Sequence, residues 1–548
     1  SLAISFRFIL WVDIITRSLH EMMGSPHGRE SSGAPSGSAA VPRSGSAAIG
    51  SSSILSKLQD SAISKIKRVV DKVPSYVWYL CLPQLVSRCG HMHQGTLELV
   101  GLLLVTQLCE YPQHAIWHVA SLLHSLNMDR KRIGNRVLSA ALQRCTPNTE
   151  THRLLRESDQ LFRELIKLAQ AEPPHAKDRR MKFKLSSLKA RWVLPTQAAL
   201  QMAPPPPTGA PTADGAGYFP SNQVFIDCFR DTVDVAASKA RPKTLRVMVS
   251  GATELRELRF LVKQEKSGDL RKDLRMMEFN GAVNRIFQAE DEGRRRQLRL
   301  RTYSVICLDE ECGVLEWVNN TQCLRVCIVE AHQSANTPNP FSSMRTVHDS
   351  LKALQDRNKY DIDTMVAQYR SAVLDNYRPV LRLWLMDRFP DPVDWLEARQ
   401  CFTRSVAVWS AVGHVIGLGD RHTENVLIDT SNAEAVHVDF DCLFDKSLLL
   451  LRPEIVPFRL TPNLVCALGV TGVEGSFRRS MEVTMKLLRD HKDALLGVLE
   501  PFLRDPTVAW GRSGRAQKAD DSGRKAKPRT VFADMENADA KAALEKIS

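Results

Sequence analysis

The sequence predicts an α+β protein in which a helical region is followed by a domain that opens with strands and closes with helices. Apolar residues recur at spacings of three and four between about Ile54 and Ala171, which is the period of amphipathic helices. From Thr244 to Lys263 they alternate with other residues, as in half-buried strands. Beyond Asn336 the helical spacing returns. The change of period along the chain therefore separates at least two structural regions.

Length and composition indicate a globular chain of several domains. Of its 548 residues, 43% are apolar and 25% are charged, so most of the chain can bury a core. Its 12 Cys are too sparse for a disulfide scaffold, and we expect reduced intracellular thiols. No apolar run reaches the roughly 18 to 20 residues of a membrane span, so we expect no direct membrane contact.

The excess of basic residues is concentrated in two segments. The formal net charge is +13, and seven basic residues stand both in Lys177–Arg191 and in Gly511–Arg529. Neither segment interleaves aromatic residues, as a groove for single-stranded nucleic acid would. Solvated flanks are therefore the expectation, and direct contact with nucleic acid stays open.

Low-complexity segments divide the chain. Between Gly24 and Ser53, 24 of 30 residues are Gly, Ser, Ala or Pro, too few apolar side chains to offset the entropy of ordering. A Pro-rich stretch at 203–220 separates the helical region from the strands.

Cys and His cluster in the helical region without a CxxC pair, so packed side chains are the expectation there rather than zinc ligands.

Each element of the second region has a local signal. TLRVMVS (Thr244–Ser250) and ELRFLVK (Glu257–Lys263) are predicted strands, with GATELR as their turn. Asp269–Phe287 is a predicted helix, and TYSVICL (Thr302–Leu308) and GVLEWV (Gly313–Val318) return to strands. A later helix is predicted to begin with Asp391 as its N-cap and Pro392 at its first position.

The residues with the clearest chemical meaning lie between Gly417 and Asp441, GLGDRHTENVLIDTSNAEAVHVDFD. VLI and AVHVDF read as a hairpin whose open end sets Asn425 beside Asp439. An amide oxygen and a carboxylate at neighbouring strand ends can share a magnesium ion. Asp420 precedes Asn425 by the spacing of the D-x-x-x-x-N loop, which carries the catalytic Asp and the metal-binding Asn of protein kinases.

These motifs resemble the phosphatidylinositol 3-kinase-related protein kinases, because the order D-R-H replaces the H-R-D of ordinary protein kinases. GLGDRHTENVLID, HVDFDCLF, PEIVPFRLT, FPDPVDW and EGSFRR are most similar to the ATR branch, the checkpoint kinases of replication stress. The resemblance implies a two-lobed kinase domain of the PI3K/PI4K type, preceded by the α-helical repeats of a FAT domain. The domains it implies are 1–53 (disordered), 54–200 (end of the FAT domain), 201–242 (linker and kinase entry), 243–335 (N-lobe), 336–510 (C-lobe) and 511–548 (basic tail resembling a regulatory insert).

By this resemblance, Asp420 would orient and deprotonate the substrate hydroxyl, and His422 would face the transferring phosphate. Asn425 and Asp439 would hold Mg²⁺, or Mn²⁺, on ATP. Phosphoryl transfer needs chiefly positioning and charge neutralisation, which such a set supplies.

Nucleotide contacts are expected upstream. Lys263, at a strand end, is a candidate for the phosphates; either Asp273 or Glu278 on the next helix could hold it, and the family pattern LRKD favours Asp273. The resemblance makes GVLEWV the hinge, where Glu316 and Val318 would bind adenine through their backbone. Trp317 would pack on the adenine ring and Tyr303 would line the pocket; without the resemblance, Trp317 would be read as a core aromatic. Ser250 and Gly251 would cradle the phosphates in a loop that has one glycine where other kinases have G-x-G-x-x-G.

The function implied is a serine/threonine protein kinase of nuclear DNA-damage signalling that prefers Ser or Thr followed by Gln. Its partners would be protein substrates, a regulatory subunit of the ATR-interacting kind and DNA-damage complexes. Two alternatives are a lipid kinase, which shares the fold, and an inactive pseudokinase scaffold. No counterpart of the family's FATC segment is recognisable, and we expect that segment to lie beyond Ser548.

Overall fold

The computed structural model describes residues 60–503, except 62, 69, 71, 91–93, 176, 203–217, 221–222, 239, 251–254, 267–268, 340, 342–345, 351, 354–361 and 451–452. The predicted segments 1–53 and 511–548 lie outside this range. The chain divides into two compact units. The first comprises the described residues up to Arg275, Tyr303–Trp317 and those from Gly497, and the second comprises Met276–Thr302 and Val318–Leu496.

Helices form the first part of the first unit. They are α1 (Ser75–Tyr79), α2 (Leu82–Ser87), α3 (Gln94–Glu110), α4 (Pro112–Leu123), α5 (Met128–Arg144), α6 (Glu150–Gln170) and α7 (Gln197–Leu200). The longer ones begin at local capping signals: the Asn127 side chain accepts the N–H groups of Asp129 and Arg130 at α5, and Thr149 caps α6. The predicted helical region is confirmed by these elements.

An antiparallel sheet completes the first unit. Its strands are β1 (Arg180–Lys182), β2 (Trp192–Val193), β3 (Phe225–Phe229), β4 (Thr232–Val235), β5 (Lys243–Ser250), β6 (Leu255–Gln264), β7 (Val305–Cys307) and β8 (Cys312–Glu316). The main path runs β1-β4-β5-β6-β8-β7, with β3 paired to both β2 and β5. Burial alternates strictly along β5, so Leu245, Val247 and Val249 enter the core that also contains Trp117 and Phe162 of the helices.

The second unit is mostly helical. A long helix, α8 (Arg271–Ala289), crosses the division between the units, and it is followed in the second unit by α9 (Asp291–Arg295), α10 (Leu324–Ser334), α11 (Ile362–Tyr369), α12 (Leu381–Arg388), α13 (Pro392–Val415), α14 (Pro462–Leu468) and α15 (Ser476–Asp490). The last helix, α16 (Lys492–Leu503), also crosses the division, which falls between Leu496 and Gly497. A small sheet has the order β11-β10-β9, from β9 (Thr321–Cys323), β10 (Val426–Asp429) and β11 (Ala435–His437). No described helix is long and apolar enough to cross a membrane.

Several sequence expectations are confirmed element by element. The hairpin between Val426 and His437 has the predicted antiparallel pairing. The helix predicted after Asp391 starts at Pro392, and the Asp391 carboxylate accepts the N–H groups of Val393 and Asp394. One face of this helix is buried, with Phe402 and Trp409 among its members.

Other expectations were wrong in detail. Strands β1 and β2 lie inside the 54–200 range assigned to helices, and β3 and β4 lie inside the range assigned to a linker. Leu255 and Arg256, expected in a turn, begin β6. The strand expected to reach Val318 ends at Glu316.

Candidate active site

The loop between α13 and β10 carries Asp420 in an unusual backbone conformation. Its φ is 57°, a left-handed conformation that non-glycine residues seldom adopt. Its N–H donates to Glu454 Oε2 at 2.7 Å, and its carbonyl accepts Asn425 Nδ2 at 3.0 Å. The backbone N–H and the backbone carbonyl of Asp420 are therefore both fixed by hydrogen bonds. Among the described residues, no hydrogen bond holds the Asp420 side chain.

Asn425 connects this loop to the strand that leads to Asp439. The Asn425 carbonyl accepts the N–H of Val438 at 3.1 Å, in register with the β10–β11 ladder, where Val426 faces His437. Asp439 follows one residue later, also left-handed at φ 64°. The structure thus brings the predicted pair of metal ligands to neighbouring strand ends.

The donor set of this pair fits a hard cation. Asn425 is 8% exposed, and because its Nδ2 donates to Asp420, its Oδ1 remains as an acceptor on the other branch of the amide. An amide oxygen and a carboxylate suit Mg²⁺, which completes its octahedral shell with phosphate oxygens and water. In the part of the chain that the structure describes, no group of three or more His, Cys, Asp or Glu could hold a metal ion by itself.

The imidazole of His422 has a defined orientation in the loop. Its Nδ1 accepts the N–H of Glu424 at 3.2 Å, so a neutral ring carries its proton on Nε2. His422 is exposed. The ring therefore offers a hydrogen-bond donor to an anionic group outside the loop.

Arg421 is a structural component of the site that sequence reasoning missed. Its guanidinium donates to the carbonyls of Gly419 and Val438, each at 2.8 Å, and to that of Asp439. It is 6% exposed and lies over the ring of Phe440. One side chain therefore ties the loop of Asp420 to the strand end of Asp439, and the only sequence signal for it is its position inside D-R-H.

Glu454 is the second component that sequence reasoning missed. It belongs to the segment 439–461, and its own N–H donates to the carbonyl of Ser447 at 3.2 Å. The close packing leaves no room for a side chain at Gly419, where an added Cβ would lie 2.6 Å from Ser447 Oγ. The segment after Asp439 therefore contacts the backbone of the loop that carries Asp420 directly.

Behind β11 lies an aromatic layer. Trp409 of α13 stacks on His437 at 4.6 Å and on Phe440 at 6.0 Å, and Phe440 is fully buried. Burial, and then the charge of Arg421, lower the pKa of His437 well below its ordinary value. The ring is therefore neutral near pH 7 and forms part of the packing that supports Asp439.

In the first unit, Lys263 lies near the end of β6. Its Nζ is 2.9 Å from Glu265 Oε1, and the Lys263 side chain is 8% exposed. Asp273 stands in the first turn of α8 and is 2% exposed. Glu265 is thus a carboxylate partner of Lys263 that the sequence reasoning did not consider, and the Lys263–Asp273 pair stays a prediction.

The predicted adenine-binding residues lie around the end of β8. The Glu316 N–H donates to Ser304 within the sheet, so the carbonyl is the backbone group of Glu316 that could serve adenine. The Glu316 carboxylate accepts the N–H groups of Gln197 at 2.7 Å and of Ser304 at 3.0 Å. The guanidinium of Arg259 lies 5.0 Å from the ring centre of Trp317.

Four other predicted nucleotide contacts have different placements. Tyr303 is buried in the first unit, and Ser250 ends β5, paired in register with Leu255. Gly251 lies outside the described residues. Val318 belongs to the second unit, and its carbonyl accepts the Thr321 hydroxyl at 2.7 Å.

Comparison with known protein families accounts for this arrangement. Residues 260–512 match the family model of phosphatidylinositol 3- and 4-kinases, which contains both Lys263 and the loop from Asp420 to Asp439. Residues 61–162 match the HEAT repeats of ATR-like serine/threonine-protein kinases. The chain therefore combines a phosphatidylinositol 3- and 4-kinase domain with HEAT repeats of the ATR-like kind.

Relatives in this kinase family extend over most of the chain. The serine/threonine-protein kinase ATR of Oryza sativa subsp. indica is 36% identical over 452 residues, 81% of this chain. Protein kinase rad3 of Schizosaccharomyces pombe is 36% identical over 465 residues, 83% of this chain. Because the chain spans only 16% and 19% of their lengths, it corresponds to a small part of each relative.

A solved structure of the same kinase type is similar as well. The FAT and kinase domain of CtTel1 has a TM-score of 0.70 and 27% identity, covering 89% of this chain and 32% of that chain. The kinase fold with preceding helical repeats is therefore confirmed. The domain limits and the individual roles of the site residues remain predictions.

Proposed function

We propose that this chain is the kinase-bearing part of a serine/threonine protein kinase, which transfers the γ-phosphate of ATP to Ser or Thr side chains. Asp420 is the group that orients the acceptor hydroxyl and takes its proton. His422 donates a hydrogen bond from Nε2 to the transferring phosphate. Each role depends on placing a polar group at a defined position, which is the principal source of catalysis in phosphoryl transfer.

The observation that carries this proposal is the double attachment of Asn425. Its side chain binds the backbone of Asp420 at 3.0 Å, and its carbonyl binds Val438, next to Asp439, at 3.1 Å. A proton-accepting carboxylate and two metal-binding oxygens are thereby held on one short framework. Left-handed backbone conformations of non-glycine residues cost free energy and cluster at functional sites. Two such aspartates in one short stretch therefore favour a functional loop.

The remaining residues bind the nucleotide in this proposal. Lys263 neutralises the phosphates, with Asp273 as the predicted carboxylate that orients it. Bound to Asn425 and Asp439, Mg²⁺ supplies charge neutralisation on the phosphate oxygens. Ser250 and Gly251 bind the phosphates through the loop after β5, and Tyr303, Glu316, Trp317 and Val318 form the adenine pocket.

Features of the segment 439–461 favour a protein substrate over a lipid. Leu448, Ile455 and Val456 are exposed and can contact an apolar or extended peptide. Lys446, a cation that an inositol phosphate headgroup would need, is paired with Asp441 at 2.6 Å. We therefore propose a Ser/Thr-Gln peptide as the substrate, with a phosphatidylinositol headgroup as the alternative.

The cellular setting is proposed from the relatives. Those reported above are named as protein kinases of the ATR and rad3 type. On this basis we propose nuclear DNA-damage and replication-stress checkpoint signalling, with a regulatory subunit and DNA-damage complexes as partners. The preference for Gln after the acceptor residue belongs to the same proposal.

The direct test compares three acceptors with the purified chain, ATP and Mg²⁺. These are a Ser-Gln peptide, the same peptide with Ala in place of Gln, and phosphatidylinositol vesicles, each assayed by incorporation of labelled phosphate. We expect the Ser-Gln peptide to be labelled fastest. Faster labelling of vesicles would indicate the lipid kinase, and equal labelling of both peptides would contradict the Gln preference.

Variants separate a catalyst from a pseudokinase scaffold. Asp439→Ala and Asp420→Ala should each lower turnover at least about a hundredfold, because each removes a group that acts on the reacting atoms. The exposed Asp490→Ala is a matched control that should keep the wild-type rate. A wild-type chain whose labelling does not exceed that of Asp439→Ala would refute catalysis by this chain.

A further inference from the structure

Two cysteines of the helical region lie in contact. Cys109 is in the last turn of α3, and Cys145 directly follows α5. Their Sγ atoms are 4.0 Å apart, and Cys109 Sγ is also 4.0 Å from the carbonyl of Ala141 in the last turn of α5. The two thiols therefore lie side by side where the C-terminal ends of two packed helices meet.

The surroundings of the pair allow a covalent bond to form. A disulfide needs the sulfurs at about 2.05 Å, so the gap must close by roughly 2 Å. Cys145 has an extended backbone, with φ −79° and ψ 138°, outside the helix, and the residues that follow it, Thr146 to Thr149, are exposed. The proposal requires the Cys145 side chain to rotate towards Cys109, and the exposed residues after Cys145 leave the chain there room to adjust.

We propose that Cys109 and Cys145 are an oxidation-sensitive pair, which hydrogen peroxide converts into an intramolecular disulfide between α3 and α5. Intracellular disulfides are usually of this reversible, redox-sensing kind. The inference is independent of the catalytic site and of the kinase activity.

The chemistry assigns different roles to the two sulfurs. The Cys145 thiolate attacks one peroxide oxygen, the O–O bond breaks, and a sulfenic acid and hydroxide form. The Cys109 sulfur then attacks the sulfenic sulfur; its proton and the departing hydroxyl leave as water. Overall, two thiols are oxidised to one disulfide and one peroxide is reduced to two waters.

Access and acidity support this order. Both cysteines are half-buried, but burial, and then the neighbouring Cys145, raise the pKa of Cys109 to about 11. Cys109 is therefore a poor first nucleophile and suits the second step. By contrast, Cys307 and Cys312 are fully buried, and burial raises the pKa of Cys312 to about 12, so peroxide has poor access to a reactive thiolate there.

The test is peptide mapping of the whole chain after oxidation. Reduced protein is treated with hydrogen peroxide, remaining thiols are blocked, and a non-reducing digest is analysed by mass spectrometry. We expect a linked pair of peptides containing Cys109 and Cys145, which is lost on treatment with dithiothreitol. If wild-type protein at high peroxide shows both peptides unlinked, or Cys145 only as sulfinic acid, the proposal is wrong.

Matched variants identify the partners. Cys109→Ser should abolish the linked peptide and leave Cys145 as a sulfenic acid that a dimedone probe labels. Cys228→Ser removes an exposed thiol on β3 and should leave the yield of the 109–145 link unchanged. A linked peptide joining Cys145 to Cys228, or one whose yield grows with protein concentration as in a cross-link between chains, would contradict the proposal.

A second measurement needs no variant. Leu126, in the turn between α4 and α5, and Met128, the first residue of α5, are 61% and 70% exposed, so chymotrypsin should cleave between Cys109 and Cys145. After peroxide treatment the two fragments should stay together on a non-reducing gel and separate with dithiothreitol. Fragments that separate on the non-reducing gel would refute the proposed disulfide.

Discussion

The hydrogen bond between Glu454 and the backbone of Asp420 predicts a turnover defect for Glu454→Ala. The carboxylate accepts the Asp420 N–H at 2.7 Å and is anchored through its own N–H to Ser447. Asp420 is left-handed at φ 57°, a conformation that costs of order 1 kcal/mol or more for such a residue. Removing the acceptor should let this peptide rotate and move the Asp420 carboxylate away from the acceptor hydroxyl.

The size of the defect follows from the kind of bond that is lost. A hydrogen bond to an ionised group contributes about 1.5 to 3 kcal/mol, and about 1.4 kcal/mol corresponds to a factor of ten in rate. Glu454→Ala should therefore lower kcat by about 10- to 150-fold. The KM for ATP should change little, because nucleotide binding does not depend on the orientation of Asp420.

The assay is steady-state phosphorylation of a Ser-Gln peptide with ATP varied. Glu454→Gln keeps an oxygen acceptor without the charge, so it should recover part of the lost kcat. Glu474→Ala, which removes an exposed side chain paired with Arg478 at the surface, is the matched control and should behave as wild type. A wild-type kcat for Glu454→Ala, or a loss confined to the KM for ATP, would refute the positioning role.

Three further predictions concern the nucleotide lysine, a helix cap and acid sensitivity. Asp273→Ala should weaken ATP use more than Glu278→Ala in an ATP titration, and the reverse order would refute the assignment of the carboxylate. Asp391→Ala should lower the free energy of unfolding by about 1 kcal/mol in urea, because two N–H groups lose their acceptor; an unchanged value would contradict the cap. Burial lowers the pKa of His118 to about 4, so between pH 6.5 and 4 the unfolded chain binds a proton that the folded chain does not. The free energy of unfolding should therefore decrease as the pH is lowered through this window. In urea titrations at pH 7 and 5, the decrease should be smaller for His118→Gln than for wild type. Equal decreases would refute the assignment to His118.

The elements that could be predicted from sequence are those with strong local signals. Alternation of apolar and other residues identified β5 and the part of β6 from Glu257 to Lys263. The Asp391-Pro392 pair identified the start of α13. The hairpin that brings Asn425 beside Asp439 needed only two short apolar runs and a polar turn. In each case neighbouring residues along the chain determine the structure, so the pattern is visible without knowledge of distant contacts.

The features that sequence reasoning missed depend on distant partners or on very short segments. Strand β9, Thr321–Cys323, has three residues and exists because it pairs with Leu427 and its neighbours on β10. Glu454 reaches Asp420 across 34 positions, and nothing in the local sequence distinguishes it from other acidic residues. The pairing of Lys263 with Glu265 differs from the expectation because the carboxylate lies two residues further along the chain, whereas a carboxylate was expected from the following helix.

Asp420 and Asp439, which both have a left-handed backbone, are held in place by the side chains around them. Asp420 and Asp439 each occupy a conformation that unrestrained residues avoid, so neighbouring groups must supply the free energy that keeps them there. Arg421 binds the carbonyls of both strand-end residues Val438 and Asp439, whereas Glu454 binds the amide of Asp420. A guanidinium can do this because its five donors point in fixed directions. The placement of both aspartates therefore depends on two charged side chains that perform no chemistry themselves, and on the segment that carries Glu454 remaining packed against Gly419.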